Sequence, residues 1–251
     1  MKHITRGVII VVLGIGMLST SGWARKGKVK LMMQVPPFNA EDFVDENGDP
    51  FPIDNSYWPL VPGTTFVYEA QTDDEIERNE VYVSHNTKEI MGVTCVVVED
   101  SAWEGDLLTE FTKDWYAQDM IGNIWYLGEY SEQYEYDDNG NLILTTTEGS
   151  WEAGVNGAEP GIIMPANPRP GQSYRQEYYE DVAEDMAKVL RLNVSASVAY
   201  GDFENCLQTK EWSSLEPGIV EHKFYAPGVG LVMIKELKDQ KRVELIDILT
   251  E

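Results

Sequence analysis

The sequence predicts an all-β protein in which two related antiparallel units form one curved sheet or incomplete barrel. Three observations predict it. Apolar and polar residues alternate with a period of two through much of the chain, no stretch after residue 24 carries a convincing long helical period, and landmark residues recur at matched intervals in two halves. Gly63 to Cys95 is 32 positions and Gly171 to Cys206 is 35, while Cys95 to Tyr116 is 21 and Cys206 to Tyr225 is 19. Trp115-Tyr116-Ala117 leads to Gly122 in the first half, and Phe224-Tyr225-Ala226 leads to Gly228 and Gly230 in the second. The chain divides accordingly into residues 1–24, a proline-rich segment 25–62, a first β repeat 63–144, a connector 145–170 and a second β repeat 171–251, the two repeats making one domain.

Residues 1–24 join Lys2, His3 and Arg6 to the apolar run Val8–Leu18 and end in Gly22-Trp23-Ala24, small residues at the −3 and −1 positions of a cleavage site. This is the pattern of a secretory signal peptide, too short in its apolar part to span a bilayer comfortably. It predicts a periplasmic or extracellular protein with no stable membrane insertion. Arg25–Lys30 is a short basic lead-in. Pro36, Pro37, Pro50, Pro52, Pro59 and Pro62 then exclude a helix or central strand, so the segment reads as a loop laid over the sheet and anchored by Phe38, Phe43, Phe51, Tyr57 and Trp58.

In the first repeat Phe66, Tyr68 and Ala70 alternate with Thr65, Val67 and Glu69, a turn falls at Asp73-Asp74-Glu75, and Val81, Val83 and His85 continue the period. Thr94–Val98 is β-branched and apolar enough for a central strand. Hairpins are expected around Gly122-Asn123 and at Asp137-Asp138-Asn139-Gly140-Asn141. Four glycines and four prolines make the connector irregular, although Trp151, Ile162, Ile163 and Met164 argue that it packs. In the second repeat Asp181–Leu192 has a helical look, with Glu184 and Lys188 four apart. Strict alternation of Leu190, Leu192, Val194, Ala196 and Val198 decides for a strand from about Lys188.

The formal charge of the chain is −24, and without residues 1–24 it becomes −26, from 17 basic and 43 acidic groups. Such a surface repels phosphates, which excludes nucleic acid and anionic lipid as partners. Two acidic turns, Asp45-Glu46-Asn47-Gly48-Asp49 and Asp137–Asn141, place oxygen ligands at alternate positions, as a calcium loop does. The first has Ser56 where a calcium loop needs a glutamate, so both read as tight turns before calcium sites. Cys95 and Cys206 hold equivalent places in the two repeats. In an oxidising compartment they form either a disulfide closing a long loop or two separately buried thiols.

His85 and His222 contribute at most part of a zinc or copper site, and no glycine-flanked serine resembles a nucleophile elbow, so no cofactor and no serine hydrolase chemistry is expected. The better candidate is Arg175-Gln176-Glu177, which stands where the first repeat has Val67-Tyr68 and its following residue. Charges in a packed sheet face need partners or a ligand. Glu152, Glu184, Asp185 and His222 are available to Arg175. The alternatives are an ion-pair network holding the connector to the sheet and a ligand site made of Trp151, Glu152, Arg175, Glu177, Asp185 and His222.

The motifs Val61-Pro62-Gly63-Thr64-Thr65-Phe66, Asp114-Trp115-Tyr116-Ala117-Gln118-Asp119, Gly149-Ser150-Trp151-Glu152-Ala153-Gly154, Tyr174-Arg175-Gln176-Glu177-Tyr178-Tyr179, Ala183-Glu184-Asp185-Met186 and Tyr225-Ala226-Pro227-Gly228-Val229-Gly230 resemble those of a family of uncharacterised secreted bacterial proteins. The resemblance runs from about Pro59 to the C-terminus and implies export and an all-β fold, with no activity attached. More loosely, the repeats look like the curved sheets of periplasmic lipoprotein-carrier proteins. The expected function is non-catalytic binding of a small or extended apolar, lipid-like ligand on the concave face. The rivals are an enzyme using Glu152, Glu177 or Asp185 on a glycan-like substrate and a cell-surface interaction module.

Overall fold

The computed structural model describes residues 35–71 and 76–251. The expected signal peptide, basic lead-in and turn at Asp73-Asp74-Glu75 lie outside the described residues. One 3-10 turn, Ala40–Phe43, precedes seventeen strands among the described residues: β1 Asp54–Asn55, β2 Trp58–Pro59, β3 Thr64–Gln71, β4 Ile76–Ile90, β5 Val93–Glu104, β6 Leu107–Gln118, β7 Ile124–Tyr136, β8 Leu142–Thr146, β9 Trp151–Glu152, β10 Glu159–Met164, β11 Ser173–Arg175, β12 Glu177–Tyr178, β13 Asp185–Val198, β14 Gly201–Ser213, β15 Glu221–Ala226, β16 Gly230–Glu236 and β17 Arg242–Thr250. The protein is all-β, and fifteen of the strands form one antiparallel, nearly closed barrel-like sheet.

The order along the sheet is β11-β13-β14-β15-β16-β17-β3-β4-β5-β6-β7-β10-β12. It contains two five-stranded meanders, β3–β7 and β11-β13-β14-β15-β16, joined by β17. Strand β17 pairs with β16 on one side and β3 on the other. In the first meander Val96 pairs with Tyr116, and in the second Leu207 pairs with Tyr225. The two ends of the sheet are consecutive in sequence, β11 pairing with β13 and β12 with β10, so the backbone at Gln176 crosses from one end to the other and brings the edges together. Closing the sheet in this way removes most of its open edges.

Alternating side chains give the barrel one buried face. Its centre is an aromatic series. Trp151 meets Tyr126 edge to face at 5.4 Å, Tyr126 stacks on Tyr116 at 4.9 Å, and Trp58 bridges Tyr116 at 5.9 Å to Tyr225 at 5.7 Å. Trp58 comes from the proline-rich segment, which is a strap across one end of the barrel. The strap is anchored by Gln118, whose Oε1 accepts from the Asp54 and Asn55 amides, and by Asn55 Nδ2, which donates to the Gly122 and Pro165 carbonyl oxygens. The connector supplies β9 and β10, and Trp151, Ile162, Ile163 and Met164 are all buried. Strand β13 begins at Asp185, three residues before the alternation becomes clear, because Met186 and Ala187 pair with Trp212 and Glu211.

Cys95 and Cys206 are free thiols, so of the two alternatives the disulfide is not made. They lie on β5 and β14, and five strands separate these along the β15-to-β4 side of the sheet. Cys95 Sγ donates to the Val93 carbonyl oxygen at 3.6 Å and Cys206 Sγ to that of Glu204 at 4.0 Å. Burial pushes the Cys95 thiol up to about 12, as suits an unreactive core residue.

Candidate functional site

Beneath the strap lies a crevice enclosing about 40 Å³. Trp58, Pro59 and Leu60 cover it. Phe66, Tyr68, Val81, Val98, Val229 and Leu231 wall it, and Asp100 and Asp114 form its floor. The two aspartates are side by side because β5 and β6 pair Asp100 with Thr112 and Val98 with Asp114, and residues two apart on a strand share a face. Both are buried, Asp100 at 3% exposure and Asp114 at 1%.

The floor is unevenly satisfied. Asp114 Oδ1 accepts from the Tyr126 hydroxyl at 2.5 Å and Oδ2 from the Thr112 hydroxyl at 3.0 Å. Asp100 Oδ1 accepts from Asn79 Nδ2 at 3.2 Å, whereas Asp100 Oδ2 has no hydrogen-bond partner. A buried oxygen left unpaired costs about 1–3 kcal/mol, so such an atom is a place where a ligand donor is favoured. Glu110, on the same face of β6, accepts from Ser131 through Oε1 and leaves Oε2 unpaired.

These acids form one electrostatic unit. Burial pushes Asp100 well above the usual carboxylate range, with Asp114 and Glu110 adding to the shift. Burial likewise raises Asp114 and Glu110 to about 7 each, against the lowering effect of the Tyr126 and Thr112 hydroxyls on Asp114 and of Ser131 and Gln133 on Glu110. Glu129 keeps some solvent contact as a residue, but its carboxylate lies deep in the protein and is pushed well up, first by burial and then by Asp114, Glu110 and Asp185. Glu177 behaves the same way, raised by burial and by Asp185 and Glu129. The second meander solves the same problem with a cation. Lys223 is 1% exposed and stands 3.1 Å from Glu211 and 3.3 Å from Glu221. Through the Tyr116 and Tyr225 pairings Lys223 occupies the place that Asp114 has in the first meander.

The structure brings together three of the six residues singled out from sequence, Trp151, Glu177 and Asp185, and places the other three elsewhere. Trp151, Glu177 and Asp185 are buried, and the Trp151 indole N–H is directed at Glu177 closely enough to favour its charged form. That contact stays outside hydrogen-bond geometry, so Trp151 Nε1 and Glu177 Oε2 both lack a partner. Glu152, Arg175 and His222 are on the outer side. Glu152 pairs with Lys88 at 2.7 Å, and Lys88 caps the Trp115 ring. Arg175 pairs with none of the four expected partners. Its Nη2 is 2.8 Å from Glu159 on β10 and donates to the Pro160 carbonyl oxygen, and its guanidinium lies over the Tyr178 ring, so it ties connector to sheet. His222 Nδ1 lies 3.4 Å from Gln208 Nε2, and burial together with Lys210, Arg191 and Lys235 lowers its pKa.

None of these six residues lines the crevice. The residues that do, Asp100 and Asp114, were legible through one signal. Thr112, Asp114 and Tyr116 alternate on one strand face, and an acid that shares its face with a core aromatic points inward.

The acidic turns are Asx loops. Asp45 Oδ1 accepts from the Asn47 and Asp49 amides, and Asp137 Oδ1 from those of Asn139 and Asn141. Asp119-Met120-Ile121-Gly122-Asn123 repeats the arrangement. Among the described residues no group of three or more His, Cys, Asp and Glu side chains is placed to hold a metal ion. No helix among them is long and apolar enough to cross a membrane.

No family model matches the chain, and no curated protein matches it. Among solved structures, the crystal structure of a candidate lipoprotein from Parabacteroides distasonis ATCC 8503 is similar at a TM-score of 0.42 and 13% sequence identity, over 78% of this chain and 99% of that one.

Proposed function

We propose that this protein is an exported, non-catalytic binding protein that takes a small apolar molecule, or the apolar end of an extended one, into the crevice under the strap. The observation that carries the reading is the crevice itself, with apolar walls, a Trp58 cover and, among its lining residues, Asp100 with one buried oxygen unpaired. Apolar pockets with a few convergent polar atoms are the usual form of small-molecule sites. The secretory pattern of residues 1–24 supports export.

An acid–base enzyme is less well supported. Asp114 has both oxygens occupied by Tyr126 and Thr112, Glu152 is held by Lys88, and the crevice has room for about two or three waters rather than a sugar ring.

The test is mass spectrometry of small molecules carried by the protein purified from its native host, compared with Val81→Trp, which fills the crevice from its wall. The expected result is one or more apolar species that accompany the natural protein and are lost from the variant. Identical profiles from the two proteins overturn the assignment.

A further inference from the structure

We infer that the crevice selects a ligand whose leading end is a positively charged nitrogen, a primary amine or comparable ammonium, carried on an apolar body. This rests on the binding role proposed above and specifies the chemistry at its deep end.

The groups facing Asp100 are Asn79 from β4, Asp114 and Glu110 from β6 and Tyr68 from β3, and none of them is cationic. The strap adds Trp58, Pro59 and Leu60, and its one polar side-chain group there, the buried Trp58 indole N–H, is uncharged and has no hydrogen-bond partner of its own. Lys223, the buried cation of the other meander, is committed to Glu211 and Glu221. The floor is therefore rich in acceptors and poor in donors. Burial favours a proton on Asp100 while the crevice is empty, and a cationic donor takes that proton's place at the unpaired Oδ2, after which the ionised carboxylate only accepts.

Three classes of leading group meet that floor differently. A carboxylate or phosphate would add an acceptor and a negative charge beside two aspartates, which the low local dielectric penalises. A hydroxyl would pair with Oδ2 but brings no charge to replace the proton that burial keeps there. An ammonium donates to Oδ2 and supplies the positive charge that lets the carboxylate ionise, and charge-assisted hydrogen bonds are roughly twice as strong as neutral ones. The apolar walls accept the alkyl body without further polar partners.

Proton linkage follows from the same arrangement. In the empty crevice burial keeps protons on the floor, Asp114 and Glu110 titrating near 7. An entering ammonium replaces such a proton, which leaves to solvent, so amine binding tightens as pH rises from 6 to 8.

The experiment uses the exported protein with three probes of one size, propylamine, 1-propanol and propionate. Binding is read by Trp fluorescence and by titration calorimetry at pH 6 and pH 8. A gain of about 1–2 kcal/mol over the alcohol's own hydrogen bond corresponds to propylamine binding roughly 5- to 30-fold tighter than 1-propanol at pH 8. The ratio is expected to shrink at pH 6, propionate to bind weakest, and the amine enthalpy to vary with buffer ionisation enthalpy as protons are released. Asp100→Asn keeps the shape of the floor, and in it the amine-to-alcohol ratio is expected to fall towards one. Equal binding of propylamine and 1-propanol, or a ratio unchanged in Asp100→Asn, overturns the inference and leaves apolar binding standing. If none of the three probes, nor their hexyl homologues, binds the natural protein, the binding role itself falls.

Discussion

Gly161 and Gln176 approach so closely that a Cβ on Gly161 would stand 2.3 Å from the Gln176 carbonyl oxygen. Gly161 is in β10, and Gln176 is the residue at which the chain leaves β11 for β12. The missing side chain lets the two edges of the sheet meet, and the Gln176 amide completes the seam by donating to the Asp185 carbonyl oxygen at 2.9 Å. Gly161→Ala is therefore expected to force backbone apart, since the obstructing atom is main chain and cannot swing away. The expected loss is about 1–3 kcal/mol or more in urea unfolding. Hydrogen exchange at β10 and β12 should accelerate before exchange elsewhere in the barrel. Full stability in Gly161→Ala would show that the edges are not held together there.

Lys223 makes the second prediction. Glu211 also accepts from Gln176, Thr209 and Tyr225, so the lysine completes a network that reaches the seam. Lys223→Met fits the space but leaves two acids in the interior without their cation. Removing one member of a buried pair costs about 3–5 kcal/mol. The loss should be largest at pH 7 to 8 and smaller at pH 5, where Glu221, which burial already holds above the usual carboxylate range, can take up a proton instead. Denaturant unfolding at both pH values checks it, and an equal loss at both contradicts the assigned role.

The contrast between these two sites shows how far the sequence was legible. Long strands announce themselves, because alternation such as Leu190–Val198 follows from local geometry alone. Strands β9 to β12 have two to six residues each and lie among glycines and prolines, so their pairing comes from contacts such as Gly161 with Gln176, which no local period encodes. The same bend explains the candidate site. Arg175 and Glu177 are two apart and would share a face in a straight strand, yet the partner changes between them from β13 to β10. Arg175 therefore reaches Glu159 outside while Glu177 is buried. The acids that floor the crevice are hard to single out in the sequence because Asp100 and Asp114 are spread among 43 acidic residues, most of which serve the surface.

Calcium binding offers a direct check on the turns. Backbone amides hold the Asp45 carboxylate below the usual range, the Asn141 side chain and then backbone amides do the same for Asp137, and glycines at positive φ, Gly48 at 85° and Gly140 at 78°, set the loop shape. An ion would have to displace bonds that the turn already makes. Millimolar calcium is expected to leave the melting temperature unchanged relative to magnesium, by differential scanning calorimetry. A calcium-specific rise would return these loops to consideration as sites.

The buried acids also determine how stability depends on pH. Asp114 and Glu110 titrate near 7 in the folded protein, against ordinary values of 3.8 and 4.5, because burial disfavours their charged forms. Between about pH 4 and pH 7 the native state then holds protons that the unfolded chain has lost. Stability falls wherever the native state binds more protons and pH rises, so the barrel should be more stable at pH 5 than at pH 7.5. The usual salt-bridged carboxylate works in the opposite direction. General repulsion in a chain of charge −24 has the same sign as the proposed effect, so one group must be isolated. Asp114→Asn removes a single titration and keeps a polar group near Tyr126 and Thr112. Its unfolding free energy should vary less steeply with pH than that of the natural protein, by up to about 1.4 kcal/mol per pH unit within the window. Parallel curves for the two proteins would mean that Asp114 ionises as an ordinary acid, and stability rising from pH 5 to 7.5 in the natural protein would mean the same of the whole floor.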